Sequence, residues 1–251
     1  QGFSTISEGL TPEELVQLLN EYLTAMCGII SSHHGTIDKF EGDAIIAFWG
    51  APLDQPDHAT VACYAAIEMQ QRNEEMRQML REQNRPLLFT RMGLNSGPVV
   101  VGNMGSADRM DYTMMGDVVN LAARLEGANK FYKTFTMISG STYELAKDDI
   151  DSRQLDIIRV VGKKEPVHVY EVLARKNETG SEMSGVVEQY LKGLKLYQDR
   201  NFADAVKEFK KVLDIDPEDG PSLTYVKRCG VFLETPPEKD WDGVYTFTEK
   251  G

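Results

Sequence analysis

The stretch Thr36-Ile37-Asp38-Lys39-Phe40-Glu41-Gly42-Asp43-Ala44-Ile45-Ile46-Ala47-Phe48-Trp49 sets the frame for the whole chain. It reads as two short strands, Thr36 to Phe40 and Asp43 to Trp49, joined by Glu41-Gly42. A two-residue connection ending in glycine signals a tight antiparallel hairpin. A helix is expected on either side. Upstream, Thr11-Pro12-Glu13-Glu14 forms a capping box with proline at the first helical position. Leu15, Leu18, Leu19, Tyr22, Leu23, Met26, Ile29 and Ile30 then recur at helical period up to about His34. Downstream, Asp57 to Gln83 reads as a second long helix with a charged, solvated face. A hairpin set between two helices departs from strict strand–helix alternation. The expected class is α+β, with a mostly antiparallel sheet and helices on one face.

Farther along, strands are expected at Phe89–Asn95 and Val99–Gly102, broken by Ser96-Gly97-Pro98, and at Tyr112–Met115. A helix follows from Asp117 to Gly127, a short one from Ser141 to Ala146, and a last strand from Val167 to Val172. The glycines between Gly93 and Gly105 are not a phosphate-binding loop, because no strand–helix unit of the required spacing surrounds them. Two strands and a bend account for them. Residues 1–173 thus form the main domain, and the polar stretch 174–184 reads as a linker. Within 185–234, Tyr190, Gly193, Ala205, Phe209 and Pro217 fall at the offsets of a tetratricopeptide helical hairpin. One such repeat cannot bury its own apolar face, so it is expected to pack on the main domain or on a second chain. Residues 235–251, rich in proline and charge, are expected to be extended.

The chain has 251 residues and a formal net charge of −12. That disfavours nucleic acid, whose binding rests on neutralising phosphates with a basic face, but allows a small anion where a few cations converge. No apolar run approaches the ~20 residues needed to span a bilayer, so no membrane contact by this chain is expected. Cys27, Cys63 and Cys229 are scattered and lack metal-ligand spacing. They read as core cysteines in a reducing compartment, hence a cytoplasmic protein or the cytosolic part of a membrane-anchored parent.

Two segments carry candidate chemistry. In the hairpin, Lys39 is expected to lie opposite Ala44 and Phe40 opposite Asp43, so that Lys39 and Asp43 project from opposite faces. A lone surface lysine and a turn aspartate are the plain alternative. In Tyr112-Thr113-Met114-Met115-Gly116-Asp117-Val118-Val119-Asn120-Leu121-Ala122-Ala123-Arg124, Asn120 and Arg124 stand four residues apart on one helix face. Both donate hydrogen bonds, and the guanidinium fork suits phosphate. Val118, Val119, Leu121 and Leu125 pack the other face, so the pair looks presented rather than incidental.

Taken in this order, the segments resemble the class III nucleotidyl cyclase catalytic domain, over Gln1 to about Leu173. The resemblance implies a ferredoxin-like βαββαβ palm, followed here by a small C-terminal helical hairpin. It also implies adenylate cyclase activity of the bacterial type, converting ATP to 3′,5′-cyclic AMP and pyrophosphate. Gly2, Phe3 and Ser4 match the loop that holds the triphosphate. Asp43 matches the second of two metal-binding aspartates, the first falling two residues before the position of Gln1. Two Mg²⁺ or Mn²⁺ ions per site are implied. Lys39 and Thr113 match the base-reading positions, while Asn120 and Arg124 match the pair that orients ribose and stabilises the pentavalent phosphorus. Val161 stands where the family carries a phosphate-binding lysine, and Lys163 is the nearest substitute. A head-to-tail homodimer is implied, with Asp43 of one chain meeting Lys39, Thr113, Asn120 and Arg124 of the other. Base choice follows from hydrogen-bond sense. Lys39 only donates and suits adenine N1, whereas guanine presents an N–H there. Guanylate cyclisation, a non-catalytic regulatory cyclase-like module and a helical interaction protein remain as alternatives.

Overall fold

The computed structural model describes Ile6 and residues 9–159 and 165–247. Gly2, Phe3, Ser4, Val161 and Lys163 lie outside the described residues. The first helix, α1, spans Pro12–Ser32. Its capping box is formed: the Glu14 amide donates to Thr11 Oγ1 at 3.3 Å, and the Thr11 amide donates to Glu14 Oε2 at 2.9 Å. The hairpin follows as β1 (Thr36–Glu41) and β2 (Ala44–Phe48), then α2 (His58–Glu82). Tyr22, Met26, Ile29 and Ile30 of α1 pack with Ala65, Met69 and Met76 of α2 over Ile37, Ile45 and Ala47 of the hairpin.

The remaining main-domain elements are β3 (Met92–Leu94), β4 (Val100–Gly105), β5 (Met110–Met115), α3 (Asp117–Tyr132), β6 (Thr136–Ser139), α4 (Gly140–Ala146), β7 (Ile150–Arg159) and β8 (Val167–Arg175). Three helices close the chain, α5 (Ser181–Gln198), α6 (Phe202–Ile215) and α7 (Gly220–Glu234), with β9 (Tyr245–Thr246) after them. The main sheet runs β3-β6-β8-β7-β9, while β1–β2 and β4–β5 form separate two-stranded ribbons. Pairings are antiparallel except β3 with β6 and β7 with β9. The architecture is the expected α+β one, mostly antiparallel with C-terminal helices.

Three departures from the sequence reading have physical causes. The strand expected at Phe89–Asn95 is only Met92–Leu94. The helix expected to end at Gly127 continues to Tyr132, because Ala128, Asn129 and Tyr132 are buried and extend its packed face; packing outweighs glycine's cost of about 1 kcal/mol inside a helix. The hairpin register also differs. Glu41 pairs with Ala44, Phe40 with Ile45 and Lys39 with Ile46. The turn is therefore Gly42-Asp43, not Glu41-Gly42, and Gly42 takes the φ of +65° that a tight turn demands and glycine adopts without strain.

A cavity of about 1050 Å³ opens between the hairpin and β3. Leu18, Tyr22, Ile45, Ala47, Met92 and Leu94 are among its lining residues.

The C-terminal helices pack on the main domain through a buried polar seam. A bulge in β7 skips Leu155, between Gln154↔Tyr170 and Asp156↔Val169. The freed Leu155 carbonyl accepts from the hydroxyls of Tyr190 and Tyr225, each at 2.9 Å. Arg153, 3% exposed, donates to Glu171 Oε2 and Asp219 Oδ1 at 2.6 Å each. Asp156 Oδ2 takes the Tyr132 hydroxyl at 2.6 Å and Arg228 Nη1 at 2.5 Å. Thr224 Oγ1 donates to the Phe131 carbonyl at 2.8 Å. Gly220 completes the contact: a Cβ there would lie 2.2 Å from the Tyr132 carbonyl oxygen. Inside the unit, Tyr190, Tyr197, Phe202, Phe209 and Tyr225 form an aromatic core against which Trp241 packs. Beyond α7, Phe247 joins the core formed by Leu125, Tyr132, Met137 and Leu155.

Candidate active site

The base-reading candidates meet through a residue that the sequence reading passed over. Asp38 is the extra residue of a bulge in β1, since Ile37 pairs with Ala47 and Lys39 with Ile46. A bulge re-aims side chains by interrupting the strict alternation of faces. Cross-strand partners share a face, so Lys39 lies on the hairpin face that also carries Phe48. That face meets β5, where the Phe48 and Tyr112 rings lie 6.3 Å apart. Thr113, in the middle of β5, is buried and pairs with Gly102. Its Oγ1 donates to Asp38 Oδ2 at 2.8 Å. Lys39 Nζ stands 3.7 Å from the same oxygen, with its side chain about half exposed and that of Asp38 at 3%. A half-exposed ammonium and a hydroxyl thus share one carboxylate oxygen.

Helix α3 begins four residues after Thr113 and carries Asn120 and Arg124 one turn apart. Asn120 is exposed and Arg124 half-buried. Arg124 Nη1 is fully buried, yet it has no hydrogen-bond partner among the described residues. A buried donor of this kind is costly unless something fills its place. The other face of α3, with Val118, Val119, Ala122 and Glu126, lines the cavity beside β3.

Asp43 sits in the hairpin turn, half-buried, and lines the same cavity. Burial pushes the Tyr22 hydroxyl above its ordinary range; the bond from Thr90 opposes that shift and the nearby Asp43 charge adds to it. Because Asp43 is in the turn, it pairs with no strand residue, and the Phe40–Asp43 and Lys39–Ala44 pairing behind the opposite-faces expectation is replaced by Phe40 with Ile45 and Lys39 with Ile46. The donor chemistry of Asp43 suits Mg²⁺ or Mn²⁺, which take carboxylate oxygens. No group of three or more metal-ligating side chains exists among the described residues, so they offer one carboxylate of the expected pair. No helix among the described residues is long and apolar enough to cross a membrane.

Residues 1–174 match the family described as adenylate and guanylate cyclase catalytic domain. Adenylate cyclase 1 of Rhizobium meliloti is 40% identical over 171 residues, covering 68% of this chain and 26% of that protein. The terminal-differentiation-specific adenylate cyclase of Dictyostelium discoideum is 32% identical over 231 residues, covering 90% of this chain and 11% of that protein. The chain therefore spans about a quarter or less of the length of these two relatives. The crystal structure of the adenylyl cyclase CyaB from P. aeruginosa superposes with a TM-score of 0.65 at 39% identity, over 72% of this chain and 92% of that one.

Proposed function

The chain belongs to the adenylate and guanylate cyclase catalytic-domain family, and on that footing we propose that it converts ATP to 3′,5′-cyclic AMP and pyrophosphate. The observation that carries the choice of ATP is the convergence of Lys39 and Thr113 on Asp38 Oδ2. The lysine offers only protons, matching adenine N1. The Thr113 hydroxyl donates its hydrogen bond to Asp38 Oδ2, so only its lone pairs are left, and they match the 6-amino group. Guanine reverses both senses. Adenylate cyclases among the relatives support the same choice.

Asn120 holds the ribose so that its 3′-hydroxyl faces the α-phosphorus, and Arg124 stabilises the charge that grows on the phosphate oxygens. The buried, unpartnered Nη1 of Arg124 supports that role: a phosphate would supply the acceptor it lacks. Gly2, Phe3, Ser4 and Lys163 are assigned to the triphosphate on the resemblance alone. Asp43 is the residue that would hold two Mg²⁺ or Mn²⁺ ions, together with the aspartate that the family places before Gln1. Such ions favour ionisation of the attacking hydroxyl and neutralise the leaving pyrophosphate. With no histidine in these motifs, no side-chain general base is assigned.

The site is completed in a homodimer, Asp43 of one subunit serving the Lys39, Thr113, Asn120 and Arg124 of the other. Helices α5–α7 include one tetratricopeptide-like hairpin and act as a fixed part of the catalytic domain. The match to the Dictyostelium cyclase, which runs over 231 residues, supports this. Burial pushes the thiols of Cys63 and Cys229 up to about 12, consistent with inert core cysteines in a cytoplasmic protein.

The test is product formation by the natural full-length protein from ATP or GTP, with Mg²⁺ or Mn²⁺. Cyclic AMP well in excess of cyclic GMP is expected. Cyclic GMP as the main product would make it a guanylate cyclase, and no product from either would make it a regulatory module.

A further inference from the structure

The charged side chain of Asp38 is only 3% exposed, and it stands where the pairing of β1 with β2 is interrupted. Its Oδ2 accepts from Thr113 Oγ1 at 2.8 Å and lies 3.7 Å from Lys39 Nζ. Its Oδ1 is fully buried with no hydrogen-bond partner among the described residues. A buried carboxylate that satisfies only one of its oxygens costs stability, and a bulge that turns it inward adds to that cost. Packing alone would favour an apolar residue here. The position asks instead for what a carboxyl oxygen does and an apolar group cannot, which is to accept a hydrogen bond.

A hydroxyl is otherwise ambiguous. Thr113 has one proton and two lone pairs, so it can donate to a carbonyl as readily as it accepts from an amine. Once that proton is committed to Asp38, Thr113 can only accept. The same oxygen lies 3.7 Å from Lys39 Nζ. Lysine donates in any case, so what Asp38 adds to the base-reading pattern is the acceptor sense at Thr113.

We propose that Asp38 is the positioning residue that sets nucleobase specificity, by holding the Thr113 hydroxyl as an obligate acceptor for the 6-amino group of a purine. This inference rests on the assignment of Lys39 and Thr113 to the base and goes one step behind it. Asp38 touches no substrate, and its effect is confined to the 6-substituent of the ring.

The experiment is a binding measurement, so it does not depend on turnover. Calorimetry compares ATP with purine riboside 5′-triphosphate, which lacks the 6-amino group, on wild type, Asp38→Leu, Asp38→Ala, Thr113→Ala and the Asp38→Leu/Thr113→Ala pair. Asp38→Leu keeps the branched shape of the carboxylate without its oxygens. Asp38→Ala provides a second chance of a folded variant, checked by circular dichroism. Wild type is expected to prefer ATP by about tenfold, the scale of one well-placed hydrogen bond. Asp38→Leu or Asp38→Ala should narrow that ratio to below about threefold, as Thr113→Ala does. The double variant should show no further loss, because the two residues act as one unit. A tenfold ratio retained in a folded Asp38 variant overturns the inference and leaves the base assignment standing. Equal weakening of both nucleotides, with the ratio intact, also overturns it and makes Asp38 a structural residue. Wild type binding neither nucleotide overturns the base assignment and this inference with it.

Discussion

The two ends of helix α3 bury charge in opposite ways. At its C-terminus, Tyr132 donates to Asp156, and Asp156 also takes Arg228. Arg153 nearby is matched by both Glu171 and Asp219. Burial alone would depress Arg153, but Glu171 and Asp219 hold its guanidinium above its ordinary range. In its first half and in the hairpin beside β5, by contrast, Arg124 Nη1 and Asp38 Oδ1 are buried without hydrogen-bond partners among the described residues. The first end pairs its buried charges within the chain, which is what a structural seam requires. The second leaves capacity open, which is what a ligand site requires. Comparing how two buried charges are satisfied therefore separates scaffold from site better than counting charges.

The largest expected effect comes from breaking the satisfied end. Arg153→Met strands Glu171 and Asp219 in the interior, and loss of one partner of a buried pair costs about 3–5 kcal/mol. Thermal or denaturant unfolding should show that loss, with nucleotide preference unchanged in whatever protein remains folded. At the open end the expectation reverses. Arg124→Ala should lower turnover by about 10²–10³, the usual cost of one transition-state donor, with little change in melting temperature. A loss of stability comparable to that of Arg153→Met would remove the distinction between the two ends.

A smaller effect is expected at Gly220. A methyl group there would meet the Tyr132 carbonyl at 2.2 Å, so Gly220→Ala should loosen the docking of α7 on α3 by about 1–3 kcal/mol, as overpacking does. Hydrogen exchange should rise at the seam before it rises in the α5–α6 core. The smallest effect involves the tail. The Val244 amide, and then Arg159, hold the Asp242 carboxyl below the usual aspartate range. Its folded-state pKa is depressed, so its stabilisation is present above the unfolded value and lost as pH falls through the lower folded value. Asp242 is about half exposed, so Asp242→Asn should change stability by under about 1 kcal/mol, and only above that acid window. Melting curves at pH 7 and at strongly acid pH would show it.

The contrast between the two ends was only partly legible in the sequence. Helices α1 and α2 announce themselves through a capping box and an apolar stripe, both of which are local signals. The hairpin was legible as a hairpin but not in its register. The turn moved by one residue because Gly42, rather than the pair before it, supplies the positive φ. That shift alone placed Lys39 opposite Ile46 instead of Ala44, and the bulge beyond it left Asp38 without a cross-strand partner. Asp38 was missed for that reason: alternation assumes an unbroken ladder. The available signal was an acidic side chain lodged between Ile37 and Lys39 in a strand that otherwise needs none. The seam was illegible for a different reason. Arg153, Asp219, Tyr132 and Arg228 are far apart in sequence and each reads alone as a surface charge or a core aromatic. Only the closed fold brings them together. The apolar face of the C-terminal hairpin did need a partner, but Tyr225, Cys229, Phe232 and Trp241 of its own unit supply it, and the contact with the main domain is the polar seam.

The most direct test of the central claim, that this chain contributes complementary halves to a shared catalytic site, is to mix Asp43→Ala and Arg124→Ala subunits. Each variant alone should form almost no cyclic AMP. Random pairing makes about half of the dimers mixed, each with one intact site, so the mixture should recover about a quarter of wild-type activity. A mixture as inactive as its components, with mixed dimers demonstrated by differential tagging, would contradict the account.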